Sequence, residues 1–161
     1  MMHMEKNKLQ IRKAKIEDLN ALINLRKEHF LYEKNELGNE LLDFNWVSSE
    51  DSRNDFKYFI LKQIIFIAEV DNNPVGYICG EIDIKKPWYK ENIAILTNLF
   101  VKEKYRRKNI GKYLLDYFID SVKEHRLNKI EVCTRYNNNI AINFYEKNGF
   151  KDFSKQLIID I

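Results

Sequence analysis

The sequence predicts a single mixed α/β (α+β) domain in which helices pack on one sheet. Its 161 residues are enough to bury a core. Hydrophobic residues make up 45% of the chain and charged residues 32%, a composition typical of globular proteins and unlike that of disordered or membrane-spanning chains. Stretches with strand or helix patterns follow in the order strand, two helices, three strands, helix, strand, helix, strand. We therefore expect one domain over residues 1–161.

The first part of the chain predicts one strand and two helices. Leu9 and Ile11 alternate with polar residues in "KLQIRKA", which indicates a strand. The stretch "IEDLNALINLRKEHF" places five apolar residues on one helical face: Ile16, Leu19, Leu22, Ile23 and Phe30. Residues 31–49 lack a regular pattern, and "SEDSRNDFKYFILKQ" then opens with the Ser and Asp residues that cap helices.

The remainder predicts five strands and two helices. Three strands, "IIFIAEV", "PVGYICGEIDI" and "ENIAILTNLFV", come first, and the turn "DNNP" joins the first two. A helix from Ile110 to about His125 keeps its apolar residues at i, i+4 spacing. After it we expect a strand "KIEVCTRY", a short helix over 139–148 and a final strand "FSKQLIIDI".

Charge and apolar runs exclude several classes of protein. The net charge is +3, and the basic residues gather at 102–112 without forming a long stripe. We therefore expect a site for a small polyanion and no nucleic-acid partner. The longest apolar run, "IIFIA", is far shorter than the ~20 residues that span a bilayer, so we expect no membrane partner.

The first residues and the two cysteines indicate where the protein is located. The start "MMHMEKNKLQ" lacks the apolar region of a signal peptide. Cys79 and Cys133 stand apart without metal-ligand spacing. These observations predict a reduced, cytoplasmic protein without a bound metal.

The loop before the helix at Ile110 suggests a phosphate site. In "YRRKNIGKYLLDYFI", Gly111 lies inside the first helical turn, where glycine costs about 1 kcal/mol relative to alanine. Close approach of a ligand to bare backbone can offset that cost. Helix N-termini bind phosphate through free N–H groups, and Arg106 and Lys112 can add charge. From the loop alone, a phosphate site and a plain helix start both remain open, and the glycines of dinucleotide and P-loop fingerprints are absent.

A second stretch, "EVCTRYNNNIAINFYEKNGF" at 131–150, decides between them. Together with the loop it resembles the GNAT superfamily of N-acetyltransferases, which carry an R-x-x-G-x-G/A loop and, further on, an N-x-x-A-x-x-x-Y pattern. The resemblance implies a mostly antiparallel, splayed central sheet of about six to seven strands, flanked by about four helices. It also implies an acetyl-CoA-dependent transfer of an acetyl group directly to a primary amine, without a metal.

The resemblance assigns the acetyl-CoA site residue by residue. The pyrophosphate loop maps to Arg106, Arg107, Lys108, Asn109, Ile110 and Gly111, followed by Lys112. Asn109 stands where the family has its first glycine, and asparagine is the non-glycine residue that best tolerates positive φ. The strand residues Leu99, Phe100 and Val101 are expected to line the pantetheine arm, with a backbone N–H near Phe100 binding the oxyanion.

Two residues of the second motif carry alternatives. Asn138 matches the asparagine that contacts pantetheine, and it can also cap the following helix; both roles can hold. Tyr145 matches the tyrosine that protonates the departing thiolate, or it can be a core residue facing Ala141 at i, i+4.

The group that deprotonates the amine is not assigned by the sequence. Many family members carry a glutamate on the strand before the loop, but in this chain that strand reads "AILTNLFV". Its Thr97 and Asn98 cannot act as bases at neutral pH. Glu81 and Asp83 on the preceding strand can serve through water or can be solvated strand charges.

Acceptor specificity is expected between the first two helices. An acidic and aromatic rim there would suit a cationic amine, although such residues can equally form a solvated face. The rim comprises Glu33, Glu36, Glu40, Asp43, Glu50, Asp51 and Asp55 with Phe30, Tyr32, Phe44 and Trp46. Trp88 and Tyr89 in "KKPWYKEN" either wall this site or pack.

Two other functions remain open from the sequence. One is a sensor that binds acetyl-CoA without turnover, and the other is a nucleic-acid-binding protein that uses the basic cluster. The apolar segment "LIIDI" at the C-terminal end also makes a homodimer possible.

Overall fold

The structure is a computed structural model that describes residues 8–161, apart from the side chains of Asp83 and Ile84. Its sheet has five strands in the order of the chain, antiparallel except for the last, parallel pair. The strands are β1 Leu9–Lys13, β2 Ile64–Val70, β3 Asn73–Ile84, β4 Ile93–Val101 and β5 Ile130–Val132. The helices are α1 Leu19–Leu37, α2 Glu50–Lys62, α3 Ile110–Glu124 and α4 Asn139–Lys147.

The two faces of the sheet bury separate apolar cores, because successive strand residues point to opposite faces. Tyr77 and Phe100 on neighbouring strands face the core that α1 and α2 cover. Ile78 and Leu96 face the core that α3 and Tyr145 of α4 cover. The sheet therefore separates a face covered by α1 and α2 from a face covered by α3 and α4.

β3, β4 and α3 approach one another most closely at Gly80. A methyl group there would collide with the carbonyl oxygen of Ile95 and with the ring of Phe118. The register of the β3–β4 pair also shifts between Cys79 and Gly80. The glycine thus permits a β-bulge under the central helix.

β4 separates from β5 partway along its length. Their pairing ends at Leu96 and Val132, so residues 97–101 have no strand beside them on that edge within residues 8–161. We call the space between residues 97–101 of β4 and the segment that follows Val132 the β4–β5 gap. It is the splayed region that the family resemblance implied.

Most predicted elements are confirmed, and three differ. The mixed α/β class and four helices are confirmed, with five strands in the described chain in place of about six to seven. The final strand "FSKQLIIDI" is wrong: residues 150–161 form neither helix nor strand, because no described strand hydrogen-bonds to them. The strand "KIEVCTRY" shortens to β5, and α1 continues past Phe30 to a left-handed cap at Gly38.

Two further expectations concern the membrane and the start of the chain. Within residues 8–161, no helix has the length and apolar character needed to cross a bilayer. The expectation about a signal peptide rests on residues 1–10, of which residues 1–7 lie outside the described residues.

Candidate active site

The loop between β4 and α3 contains two left-handed residues. Arg107 has φ 59° and Asn109 has φ 61° with ψ 9°. Asparagine accepts this conformation more readily than other residues with a β-carbon. Left-handed residues next to a helix start can turn successive N–H groups toward one point outside the helix end, which forms an anion-binding concavity. Asn109 therefore has the backbone conformation that its family position requires.

The first N–H groups of α3 are free of intrahelical partners. The first helical bond runs from the N–H of Tyr113 to the carbonyl of Asn109, at 3.0 Å. The N–H groups of Ile110, Gly111 and Lys112 precede it at the positive end of the 15-residue helix. A phosphate group is the kind of ligand that such an end favours.

Gly111 is not required by the packing of the protein itself. A methyl group there would lie 3.6 Å from the ring of Phe144 and 4.0 Å from Val101, which are ordinary contacts. Its φ is also outside the left-handed region. The open side of this residue leaves room for a ligand to approach the backbone.

Basic side chains of the loop have different tasks. The Nε of Arg106 donates to the carbonyl oxygen of Val101 at 2.9 Å, and its guanidinium lies 4.7 Å from the ring centre of Tyr32. Arg106 thus ties the loop to the end of β4 and to α1. Arg107 and Lys108 are exposed, and Lys112 forms an ion pair with Asp116.

The free edge of β4 presents two backbone donors to the β4–β5 gap. The N–H of Lys102 donates to Val75 on the β3 side, at 2.9 Å. Because backbone groups alternate along a strand, the N–H of Phe100 also points to β3. Those of Leu99 and Val101 point into the gap. The expected oxyanion donor near Phe100 is therefore the N–H of one of its two neighbours.

α4 places Tyr145 and Asn138 on the same side of the sheet as α3. Tyr145 is 8% exposed and lies between the rings of Phe144 and Phe150, at 5.4 and 5.2 Å between centres. Burial raises the pKa of its phenol well above the usual range, so the hydroxyl keeps its proton at neutral pH. The Oδ1 of Asn138 accepts from the N–H of Ala141 at 3.2 Å, which makes it the cap of α4.

A group of polar side chains closes one side of the gap. We call His29, Glu33, Asn39, Arg135 and Asn137 the mouth cluster. The imidazole of His29 stacks on Phe100 of β4, with 5.1 Å between ring centres. On the other side, the Nδ2 of Asn137 donates to the carbonyl of Leu37 at the end of α1, at 3.0 Å. The second half of α1 thus bridges β4 and the segment after β5.

Glu33 is held firmly within the mouth cluster. One carboxylate oxygen lies 3.2 Å from the Nε2 of His29, and the other accepts from the Nδ2 of Asn39 at 2.9 Å. The hydrogen bond with His29, then that with Asn39 and the charge of Arg135, lower the pKa of Glu33 against the effect of its partial burial. Glu33 is therefore ionised at neutral pH.

Two atoms of the mouth cluster lack protein partners. The Nε of Arg135 and the Oδ1 of Asn137 are buried and make no hydrogen bond. An unsatisfied buried polar atom costs about 1–3 kcal/mol. A ligand that offers one acceptor and one donor in the gap can recover this cost.

Other residues of the predicted rim serve the packing of α1 and α2. Asp55 forms a 2.7 Å ion pair with the buried Arg26, whose guanidinium lies 3.5 Å from the ring centre of Phe56. Trp46 stacks on Phe30, and Glu50 pairs with Lys57. Among the acidic residues of that rim, Glu33 is the one that the structure places in the mouth cluster.

The remaining sequence candidates lie elsewhere or outside the description. Glu81 is half-buried on β3, close enough to Cys79 for its charge to help raise the pKa of that thiol. The side chain of Asp83 lies outside the described residues. Trp88 is exposed, and Tyr89 packs edge-on against Phe153.

Sequence reasoning missed the mouth cluster except for Glu33. His29 lies on the side of α1 that packs against β4, and a polar residue within an apolar stripe was the only sequence signal for it. Arg135 and Asn137 lie inside the second motif, yet the hydrogen bond of Asn137 to Leu37 and the charge interaction of Arg135 with Glu33 join residues about a hundred positions apart. No local pattern encodes such a contact.

Comparisons with known proteins agree on one family. The Acetyltransferase (GNAT) family model matches residues 19–150. The spermidine N(1)-acetyltransferase of Thermoplasma acidophilum is 28% identical over 149 residues, which cover 89% of this chain and 88% of that protein. The N-alpha-acetyltransferase of Sulfurisphaera tokodaii is 36% identical over 97 residues, which cover 54% of this chain and 56% of that protein.

A solved structure agrees with the fold as well. The PaiA N-acetyltransferase of Thermoplasma acidophilum, crystallised with coenzyme A, superposes with a TM-score of 0.79 at 25% identity. The match covers 92% of this chain and 93% of that one.

Proposed function

This chain belongs to the acetyltransferase (GNAT) family, and from that premise we propose roles for its residues and a class for its acceptor. It is an N-acetyltransferase that moves the acetyl group of acetyl-CoA to an amine. In this reaction a bond forms between the amine nitrogen and the carbonyl carbon while the carbon–sulfur bond breaks. The amine loses a proton, and the thiolate gains one.

We propose that the loop and the start of α3 bind the pyrophosphate of acetyl-CoA. The left-handed Asn109 turns the chain so that the N–H groups of Ile110, Gly111 and Lys112 face outward at the helix end. Arg107 and Lys108 add exposed positive charge, while Arg106 fixes the loop to Val101. The bare α-carbon of Gly111 lets the phosphate approach the backbone.

We place the transfer of the acetyl group in the β4–β5 gap. The N–H groups of Leu99 and Val101 line its edge and can hydrogen-bond to the pantetheine arm and to the carbonyl oxygen on which negative charge develops. The ring of Phe100 lies in the core that α1 and α2 cover, where it stacks on the imidazole of His29. The Oδ1 of Asn138 caps α4, and its side-chain NH₂ group can hydrogen-bond to the pantetheine arm.

Tyr145 is the proposed donor of a proton to the leaving thiolate. Its phenol stays protonated at neutral pH because burial disfavours the phenolate. The rings of Phe144 and Phe150 fix its orientation, so no reorganisation is needed during the reaction.

The acceptor that we propose is a small-molecule primary amine. The relative that matches over 88% of its length is named a spermidine N(1)-acetyltransferase. In addition, the ionised Glu33 places negative charge beside the gap. The test is a thiol-release assay with acetyl-CoA and a panel of polyamines, aminoglycosides, amino acids and N-terminal peptides, with products identified by mass. Turnover of small amines is expected; turnover of peptides alone would overturn this class of acceptor.

We further propose that one catalytic domain over residues 1–161 forms a homodimer through its C-terminal segment. Phe153, Leu157, Ile158, Ile159 and Ile161 are 72–117% exposed, which is unfavourable for apolar side chains in water. The open edge of β5 in a second copy could accept the segment as a strand. A monomeric mass in analytical ultracentrifugation at micromolar concentration would contradict the dimer. A cytoplasmic location stays a prediction from the sequence.

A further inference from the structure

We infer that Glu33 binds a positive charge of the acceptor other than the nitrogen that is acetylated, so that this enzyme selects amines carrying at least two cationic groups. The inference rests on the proposed small-amine acceptor and adds a specificity residue to it. No motif of the sequence singles out Glu33 from the other acidic residues of its segment.

The first observation is that hydrogen bonds fix the position of the Glu33 carboxylate. His29 and Asn39 each hold one oxygen of Glu33, at 3.2 and 2.9 Å. Asn39 is itself buried, and its own N–H bonds to the backbone carbonyl of Glu33 at 3.1 Å. The side chain of Glu33 remains 23% exposed. A fixed and partly exposed carboxylate loses little side-chain entropy when it binds a cation.

The second observation is the position of Glu33 relative to the reacting carbon. The N–H groups that bind the carbonyl belong to the edge of β4, and Phe100 lies between them. The imidazole of His29 stacks on the ring of Phe100, and Glu33 lies beyond that imidazole, one helical turn further along α1. Glu33 therefore faces a part of the acceptor that extends away from the thioester.

The ionised state of Glu33 also decides which nitrogen it can bind. An amine can attack a carbonyl only after it loses its proton. A carboxylate whose pKa is lowered stabilises the protonated ammonium beside it and is a poor acceptor for its proton. Glu33 is thus suited to hold a nitrogen that remains an ammonium throughout the reaction.

Arg135 limits where the second charge can bind. Its guanidinium is near enough to lower the pKa of Glu33, yet the two groups form no ion pair within 4.0 Å. Its buried Nε and the Oδ1 of Asn137 have no protein partner. A second ammonium group therefore binds on the side of the Glu33 carboxylate that faces away from this guanidinium, because like charges repel each other.

The experiment compares spermidine with butylamine, which has a single charge, in steady-state kinetics of wild type and Glu33→Gln. Glutamine keeps the shape and an oxygen for Asn39 but removes the charge. We expect KM for spermidine to rise about 10-fold or more, with KM for butylamine and for acetyl-CoA unchanged within about twofold. Calorimetric titration of spermidine into the CoA-saturated protein should show the same loss of affinity.

Glu36→Gln is the matched control, because Glu36 is exposed on the same helix. It should leave all these constants unchanged. Should Glu33→Gln fail to fold, the salt dependence of wild type replaces it: KM for spermidine should rise more steeply with salt than KM for butylamine.

Equal effects of Glu33→Gln on both amines, or no effect on either, would overturn this inference while the small-amine function stands. In the salt experiment, parallel slopes for the two amines would do the same. If wild type binds acetyl-CoA and, in the panel given above, turns over only small amines with a single charge, the inference falls and the small-amine function stands; if it turns over peptides alone, both fall.

Discussion

At the scale of single residues, Tyr145 combines a position in the core with the role that we propose for it in catalysis. The same burial that makes it a core residue keeps its hydroxyl protonated. Because burial also makes the phenol a weaker acid, the core role and the proposed role, which the sequence left as alternatives, are compatible when the phenol hydrogen-bonds to the departing sulfur.

We predict that Tyr145→Phe lowers kcat by about 100-fold, because it removes the proton donor and leaves the ring in place. KM for acetyl-CoA should change by less than about twofold, and the melting temperature should stay close to that of wild type. Stopped-flow or thiol-release kinetics measure the first effect. Tyr117→Phe on the exposed face of α3 is the control; a Tyr145→Phe enzyme with full kcat would remove Tyr145 from the mechanism.

Asn109 carries a second prediction at this scale. Its φ of 61° is tolerated by asparagine and glycine and strained for a β-branched residue. Asn109→Val should cost about 1–2 kcal/mol in the free energy of unfolding and weaken acetyl-CoA binding about tenfold, whereas Asn109→Gly should keep both near wild type. Urea unfolding and calorimetry measure the two quantities.

The control for Asn109 is Asn128→Val, since Asn128 is an exposed loop residue outside the left-handed region. It should affect neither quantity. Equal stability of Asn109→Val and Asn109→Gly would contradict the left-handed conformation.

At the scale of elements, the approach of β3, β4 and α3 requires a residue without a side chain. A methyl group on Gly80 would meet the backbone of Ile95 and the ring of Phe118. We predict that Gly80→Ala lowers the free energy of unfolding by about 1–3 kcal/mol or more, because backbone cannot move aside as a flexible side chain can. Urea denaturation measures the loss.

Gly111→Ala is the matched comparison within the same core. The methyl group makes only ordinary contacts there, so stability should be unchanged or rise by up to about 1 kcal/mol, the helix preference for alanine. Acetyl-CoA affinity should stay within about twofold of wild type, because the family's loop carries either glycine or alanine at this position. A loss of about tenfold or more would show that the phosphate needs the bare backbone of Gly111.

The elements also show where local pattern stops predicting structure. Apolar spacing predicted α3 and α4 almost to the residue, since each helix buries one face of its own sequence. α1 runs beyond its apolar stripe because polar residues of good helix propensity continue to Gly38. The prediction of a final strand was wrong because a strand needs a neighbouring strand to hydrogen-bond to. The apolar pattern of residues 153–161 does not indicate whether such a neighbour exists.

At the scale of the whole molecule, three buried acidic groups make the fold sensitive to alkali. Burial raises the pKa of Cys79 from 9.0 to about 12, and it raises the pKa values of Tyr77 and Tyr145 beyond the usual range. Each group is protonated when folded and ionises at lower pH when unfolded. Stability is therefore fully present below the unfolded pKa values and is lost as the pH rises toward the folded ones.

We predict that the free energy of unfolding decreases progressively above about pH 9, the region of the unfolded thiol. Chemical denaturation between pH 7 and 11 measures the slope. Cys79→Ser replaces the titrating thiol by a hydroxyl and should flatten the first part of the curve, whatever its effect on stability at pH 7. Identical slopes in the two proteins would contradict a thiol kept protonated by burial.

Some parts of the candidate active site could be predicted from the sequence, and others are visible only in the structure. The loop at 106–111 and the pair Asn138 and Tyr145 follow from contiguous motifs, and their local conformations are those expected. The free edge of β4 and the mouth cluster depend on where β5 ends and how α1 crosses the gap. Such features arise from tertiary packing between distant segments, so the acceptor side was predictable only as a region.

The most direct test of the proposed acetyl transfer is calorimetric titration of the purified protein with acetyl-CoA, with ADP as the control for phosphate binding alone. Spermidine is then added, and free CoA is assayed. We predict saturable binding of acetyl-CoA that is tighter than that of ADP, and release of CoA once the amine is present. Binding without release for any amine would indicate a sensor in place of an enzyme. No binding at millimolar acetyl-CoA would contradict the phosphate-binding loop and the function built on it.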